Sequence, residues 1–303
     1  MMDLAKGWKK LTRKFLDKIQ GDSSGAEVSC LIEAAAVSHR GKIRENNEDN
    51  LYFQGRILPV EHGGTQGIWS SFPGPKLTAA VFDGMGGEAA GELASYTAAQ
   101  GMKEFMEREK HTPGDASGHC RKGSIDTAAG IPDPGQVSAL CLGLNRGVVD
   151  AARQGKYSCI GTTAVLAFLT GREYLVANLG DSPAYLFREG ELSMLTRPHT
   201  NARSLERQGF SGRKPGLTQF LGIPEEELLL EPHLVRGELE PEDQLLLCSD
   251  GLTDMVPESE IAGILQEKQP AKVCVQRLLD VALERGGRDN ITIILCKIQR
   301  EET

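Results

Sequence analysis

The sequence predicts an α+β protein in which stacked antiparallel sheets are covered by helices. Three observations carry this. Nine short segments are rich in β-branched or apolar residues, and most are bounded by Gly, Pro, Asn or Asp. Two neighbouring pairs among them read as hairpins. Helical patterns are interspersed among the strands, the arrangement that covers sheet faces with helices.

In chain order, the first twenty residues stand apart. Lys6, Lys9, Lys10, Arg13, Lys14 and Lys18 oppose only Asp3 and Asp17, while Leu4, Trp8, Leu11, Phe15 and Ile19 recur at helical spacing. This predicts a basic amphipathic helix, docked on its own domain or serving as a peripheral membrane or partner tether. With the linker Gly21–Gly25 it forms a unit over 1–25, ahead of a domain over 26–300. Strands are expected near 28–38, 50–58, 77–82, 162–169, 173–179, 183–188, 228–236, 243–248 and 291–298. Helices are expected near 88–108, 135–154, 200–208, 258–267 and 271–285, the last stopped by Gly286-Gly287. The hairpins join 162–169 to 173–179 around Gly171, and 173–179 to 183–188 around Gly180-Asp181-Ser182. Segments 59–76 and 110–134 lack periodicity and read as surface insertions. The run Asn50–Gly55 (NLYFQG) ends like a protease-cut cloning linker. Asp49, where that linker has Glu, and its place well inside the chain favour native sequence.

Composition narrows the function. The 303 residues are 40% hydrophobic and 25% charged, enough to bury a sizeable core. No apolar run matches a membrane span and no secretory signal is evident. Seven scattered cysteines, none in a C-x-x-C pair, argue against a disulfide framework or zinc knuckle and suit a reducing cytoplasm. A net charge of −8 disfavours broad nucleic-acid binding and suits a protein that collects divalent cations.

The informative feature is where aspartates fall. Apolar runs lead directly into Asp83-Gly84, Asp181 and Asp250-Gly251, and Asp289-Asn290 precedes the last strand. Asp-Gly pairs are common turns, so one alone says little. Four strand-linked carboxylates, if they converge, repel one another unless a cation sits among them. Hard oxygen donors of this kind suit Mg²⁺ or Mn²⁺.

Six stretches bring a family into view: Arg44–Asn50 (RENNEDN), 81–92 (VFDGMGGEAAGE), 161–169 (GTTAVLAFL), 176–182 (VANLGDS), 245–256 (LLLCSDGLTDMV) and 286–295 (GGRDNITIIL). In this order, across residues 28–298, the chain resembles the type 2C metal-dependent protein serine/threonine phosphatases, especially the single-domain bacterial ones. The resemblance implies a four-layer α-β-β-α sandwich, two antiparallel sheets packed face to face and flanked by helices. It implies two divalent metals, Mn²⁺ or Mg²⁺, and hydrolysis of phosphoserine or phosphothreonine by a metal-bridging hydroxide. Asp83 would bridge the metals, the Gly84 carbonyl would join one, and Asp250 and Asp289 would hold the other. Glu48 and Asp49 would act directly or through water, and Arg44 would grip the substrate phosphate. Asp181 would hold a third metal with Asp250. The partners implied are phosphorylated proteins, opposite a serine/threonine kinase, and a monomer is expected.

Some positions depart from that pattern. Met85 stands where many eukaryotic members carry a histidine, leaving the general acid to a bound water or another residue. Pro183 replaces an arginine after GDS, which weakens the third-metal assignment. His199 lies in an Arg-Pro-His-Thr context that favours a structural role; His39, His62, His111, His119 and His233 form no ligand spacing. Residues 201–222 match the family's variable flap, on which substrate access would depend. Pro183, Arg197-Pro198 and the two insertions leave open a catalytically weak module that binds a phosphoprotein or regulator without turnover.

Overall fold

The computed structural model describes residues 30–62, 69–71, 73–86, 90–111, 130–157, 160–210 and 215–300. The basic N-terminal segment over 1–25, His119 and most of the 110–134 insertion therefore lie outside the described residues.

Two antiparallel sheets form the centre. The first contains β1 (Cys30–His39), β3 (Trp69–Ser70), β8 (Ala184–Arg188), β9 (Glu191–Met194), β11 (Gln244–Cys248) and β12 (Ile291–Arg300), in the order β3-β1-β12-β11-β8-β9. The second contains β2 (Asp49–Phe53), β4 (Lys76–Gly86), β5 (Ile160–Thr162), β6 (Ala164–Thr170), β7 (Glu173–Leu179) and β10 (His233–Glu238), in the order β10-β7-β6-β4-β2, with β5 on the end of β4. Helices α1 (Ala90–His111) and α2 (Pro134–Gly155) cover the second sheet. Helices α5 (Glu258–Gln266) and α6 (Ala271–Glu284) cover the first. The short helices α3 (Ala202–Arg207) and α4 (Asp250–Thr253) lie in connections. The four-layer sandwich expected from the sequence is the fold observed.

Strand parity explains the layers. Side chains alternate between faces along a strand. In β4, Leu77, Ala79 and Val81 point between the sheets, whereas Ala80 and Phe82 face the helices. In β12, Ile294, Cys296 and Ile298 point between the sheets, and Ile291, Ile293 and Leu295 meet α5 and α6. Both faces are buried, so these strands read as continuous apolar runs. The run Leu51-Tyr52-Phe53 is buried in β2, so NLYFQG is part of the fold.

Four expectations need correction. The hairpin between 173–179 and 183–188 does not form: β7 and β8 belong to different sheets. Gly180 adopts φ +101 and Pro183 has no N–H to donate, so the chain leaves β7 and crosses to the other layer at Asp181. Asp83-Gly84 is not a turn at a strand end, because β4 continues to Gly86 and pairs with β5. The 59–76 segment is partly built into the sandwich. Trp69 and Ser70 pair with β1, Gly74 exchanges hydrogen bonds with Ile32, and His62 is buried. With only two residues in the ladder, no periodicity could be read. The strand expected over 228–236 is His233–Glu238, shifted toward the partner residues of β7.

Candidate metal centre

The parity that fills the sandwich with apolar side chains also builds the site. Continuing the inward-facing positions to one end of the sandwich gives Ser38 after Ala36, Asp49 before Leu51 and Asp83 after Val81. It likewise gives Thr163 before Val165, Ser249 after Leu247, and Asn290 and Thr292 before Ile294. At this end the sandwich becomes polar in both sheets. Asp49 and Asp83 stand directly opposite each other in the β2–β4 register.

The polar groups form a connected scaffold. Ser249 Oγ donates to Asp49 Oδ2 at 2.7 Å, and Thr292 N donates to Ser249 Oγ at 3.0 Å. Asn47 Nδ2 donates to Ser38 Oγ, which lies 2.9 Å from Thr292 Oγ1. Asp83 N donates to Thr163 Oγ1 at 3.1 Å, and Thr163 Oγ1 lies 2.6 Å from Ser182 Oγ. Asn290 ties down the loop that carries Arg44 and Glu48. Its Oδ1 accepts from Glu48 N at 2.7 Å, while its Nδ2 donates to Arg40 O at 2.8 Å and Asn46 O at 2.9 Å. His62 lies beneath Asp49, its ring nitrogens 2.9 Å from Asp49 O and 2.7 Å from Pro59 O.

Two glycines next to the acids are required by close approach, not by turns. A Cβ at Gly84 would lie 2.3 Å from Gly91 O and 2.4 Å from Glu48 O, and one at Gly251 would lie 1.9 Å from Asn290 O. Their absent side chains let the acidic segments converge.

Electrostatics show that the carboxylates share one region. Desolvation, followed by the charges of Asp49, Asp250, Asp181 and Asp289, pushes the Asp83 carboxyl well above the usual range. Burial pushes Asp49 up to about 7, against the hydrogen bonds from Ser249 and Thr292 and helped by the charges of Asp250 and Asp289. Glu48 is raised by desolvation, with Arg44 opposing and Glu92 and Asp289 adding to the shift. The structure thus gathers Asp49, Asp83, Asp181, Asp250 and Asp289, with Glu48 at the margin. Arg44 lies at the rim, where Nη2 donates to Asp289 Oδ2 at 2.7 Å.

The donors fit a hard divalent cation: they are oxygens carrying an excess of negative charge. Cys248 precedes Ser249, but strand parity turns it toward the helices. Among the described residues no group of three or more His, Cys, Asp or Glu closes into a ready-made cage.

The model of the protein phosphatase 2C family matches residues 65–292. The chain belongs to the protein phosphatase 2C family. Serine/threonine phosphatase stp of Listeria monocytogenes is 30% identical over 283 residues, covering 90% of this chain and 97% of that protein. PstP of Mycobacterium tuberculosis is 28% identical over 281 residues, covering 90% of this chain. The chain spans 46% of PstP, about half its length. The crystal structure of M. tuberculosis PstP/Ppp superposes with a TM-score of 0.65 at 27% identity, covering 89% of this chain and all of that one. The PstP catalytic domain solved with two manganese ions gives the same score and identity, over 89% and 99% of the two chains.

For this type 2C chain, sequence reasoning missed Ser38, Ser249, Thr292, Thr163, His62 and the scaffold role of Asn290. Strand parity was the available signal for all but His62.

Proposed function

We infer that this chain is a Mg²⁺- or Mn²⁺-dependent phosphatase that hydrolyses phosphoserine and phosphothreonine in proteins. The observation that carries this is the convergence of five aspartates at the polar end of the sandwich: Asp49 faces Asp83 in the β2–β4 register, Ser249 beside Asp250 bonds Asp49, Gly251 packs against Asn290 beside Asp289, and Ser182 beside Asp181 reaches the Thr163 that bonds Asp83 N. Asp83, the Gly84 carbonyl, Asp250 and Asp289 would hold two cations, with Glu48 and Asp49 acting directly or through water; Asp181 could hold a third with Asp250. Bound divalent cations neutralise the phosphate dianion and lower the pKa of water at neutral pH.

The chain's own residues do the positioning. Arg44 uses one guanidinium nitrogen on Asp289, and its remaining donors are suited to two phosphate oxygens. Ser249 and Thr292 fix the Asp49 carboxylate, so its orientation is set before a cation arrives. Asn290 links Glu48 and the Arg44 loop to Asp289: its Oδ1 accepts from Glu48 N and its own N–H donates to Asp289 Oδ1. Burial pushes the Cys141 and Cys296 thiols up to about 12 and raises Cys248 as well, which disfavours these three as nucleophiles.

The proposed catalytic domain spans about 26–300, with the basic segment 1–25 ahead of it as a helix docked on that domain or as a tether to a membrane surface or partner. Phosphoproteins are the substrates, a serine/threonine kinase is the opposing activity, and the chain works as a cytoplasmic monomer. No described helix is long and apolar enough to cross a membrane.

Hydrolysis of a phosphothreonine peptide with Mn²⁺, with chelator, and by Asp83→Asn tests this function. Turnover requiring both metal and Asp83 supports it. Metal-dependent turnover that is unchanged in Asp83→Asn removes the site assignment. No turnover by a folded, metal-binding chain favours the binding-module alternative.

A further inference from the structure

The segment after β9 carries charge opposite to the rest of the chain. Residues 197–214 contain Arg197, Arg203, Arg207, Arg213 and Lys214 against one carboxylate, Glu206, in a chain of net charge −8. Arg197, Arg203 and Arg207 are described, and all three are exposed. Arg203 and Arg207 lie one turn apart on α3, so they share a face. None of the three forms an ion pair with a described carboxylate. Of the three acids that follow in sequence, Glu225 and Glu226 are engaged by Arg146 and Arg153.

Backbone contacts hold this segment beside the acidic centre. His199 N donates to Gly180 O at 2.9 Å, and Gly180 N donates to His199 Nδ1 at 3.3 Å. Gly180 precedes Asp181, whose charge reaches Asp83. Asn201 N donates to Gly216 O at 3.0 Å, and Gly216 N donates back to Asn201 Oδ1 at 2.9 Å. Arg197 is two residues before His199, and its charge bears on the His199 and His233 rings. At 1.5 Å per residue α3 is about 9 Å long. An extended peptide covers that length in roughly three residues.

We propose that Arg197, Arg203 and Arg207 form a second anion-recognition surface, which reads acidic side chains flanking the phosphoresidue of the substrate. This rests on the phosphatase function above and narrows its substrate class. Each guanidinium offers a planar pair of donors matched to carboxylate or phosphate oxygens. A chain with excess negative charge would otherwise repel such substrates. The arginines confer selectivity by supplying local attraction where the substrate flank passes.

Three phosphothreonine peptides test this, identical except for neutral, glutamate or second-phosphothreonine flanks, assayed with Mn²⁺ beside p-nitrophenyl phosphate, which has no flank. The wild type should show about tenfold higher kcat/KM for an anionic flank, expressed in KM and reduced by salt. The two anionic peptides distinguish carboxylate from phosphate recognition. In Arg203→Ala/Arg207→Ala the ratio should fall toward one, and in the double Lys variant most of it should survive. A ratio near one in the wild type, or one that persists in the alanine variant, overturns the proposal while p-nitrophenyl phosphate is still hydrolysed. If the wild type hydrolyses neither peptides nor p-nitrophenyl phosphate, the phosphatase function fails and this proposal falls with it.

Discussion

Replacing Asp49 by Asn should stabilise the metal-free protein at pH 8 while impairing its hold on a cation. Asp49 is 1% exposed, and its carboxyl is pushed from the usual 3.8 to about 7, chiefly by burial. Below pH 3.8 the folded and unfolded chains both keep the proton, so the group costs nothing. As pH rises through this window, the unfolded chain ionises first and the folded state is increasingly penalised. Above the folded value the full cost remains: about three pKa units, or roughly 4 kcal/mol. Asparagine cannot ionise and avoids that cost; the 2.7 Å hydrogen bond from Ser249 already acts within the folded value. The variant should therefore be more stable than wild type by up to roughly 4 kcal/mol at pH 8. Near pH 5 the difference should shrink to about 1–2 kcal/mol. Urea unfolding with chelator at both pH values measures this. Adding Mn²⁺ should reverse the order at pH 8, because a ligand stabilises only the form that binds it. A variant clearly less stable than wild type at pH 8 in chelator would refute the reasoning.

Three further outcomes follow from the same geometry. Asn290→Ala removes three side-chain hydrogen bonds at the Arg44 loop, and thermal unfolding should show a loss of about 3 kcal/mol. Arg44→Ala should change stability by less than about 1 kcal/mol, because its Asp289 pair is exposed, while KM for a phosphopeptide rises at least about tenfold in steady-state assays. Gly251→Ala places a methyl 1.9 Å from Asn290 O, so calorimetric Mn²⁺ titration of the folded fraction should show binding weakened by about tenfold or more.

The sequence disclosed the strands best where both faces are buried. The runs of β4, β11 and β12 are largely apolar and carry Asp83 near the end of β4, Ser249-Asp250 just after β11 and Asp289-Asn290 just before β12, so their existence and the acidic residues were both legible. β9 was not, because its four residues are largely exposed at a sheet edge and carry little apolar pattern. The β7–β8 connection was misread for a different reason. Gly180-Asp181-Ser182 has the composition of a hairpin turn, yet Leu179 and Ala184 find partners in separate sheets. Turn chemistry specifies that the chain bends, and burial of the flanking strands decides which layer it enters.

That crossing also explains why the site is where it is. A carboxylate buried between two apolar sheets would carry a prohibitive cost, and one on an outer face would lie under helices. At the end of the sandwich the inward-facing rung is still fixed by both ladders, but its neighbours are Ser38, Thr163, Ser249 and Thr292 instead of aliphatic side chains. Ser249 donates to Asp49, the other hydroxyls tie the surrounding backbone and one another, and the ladders hold the acids against mutual repulsion. The mutual repulsion that raises Asp49 and Asp83 would, on the proposed function, be relieved by a divalent cation. Stability given up at this rung would then be recovered on metal binding, coupling folding of the polar end to assembly of the proposed site.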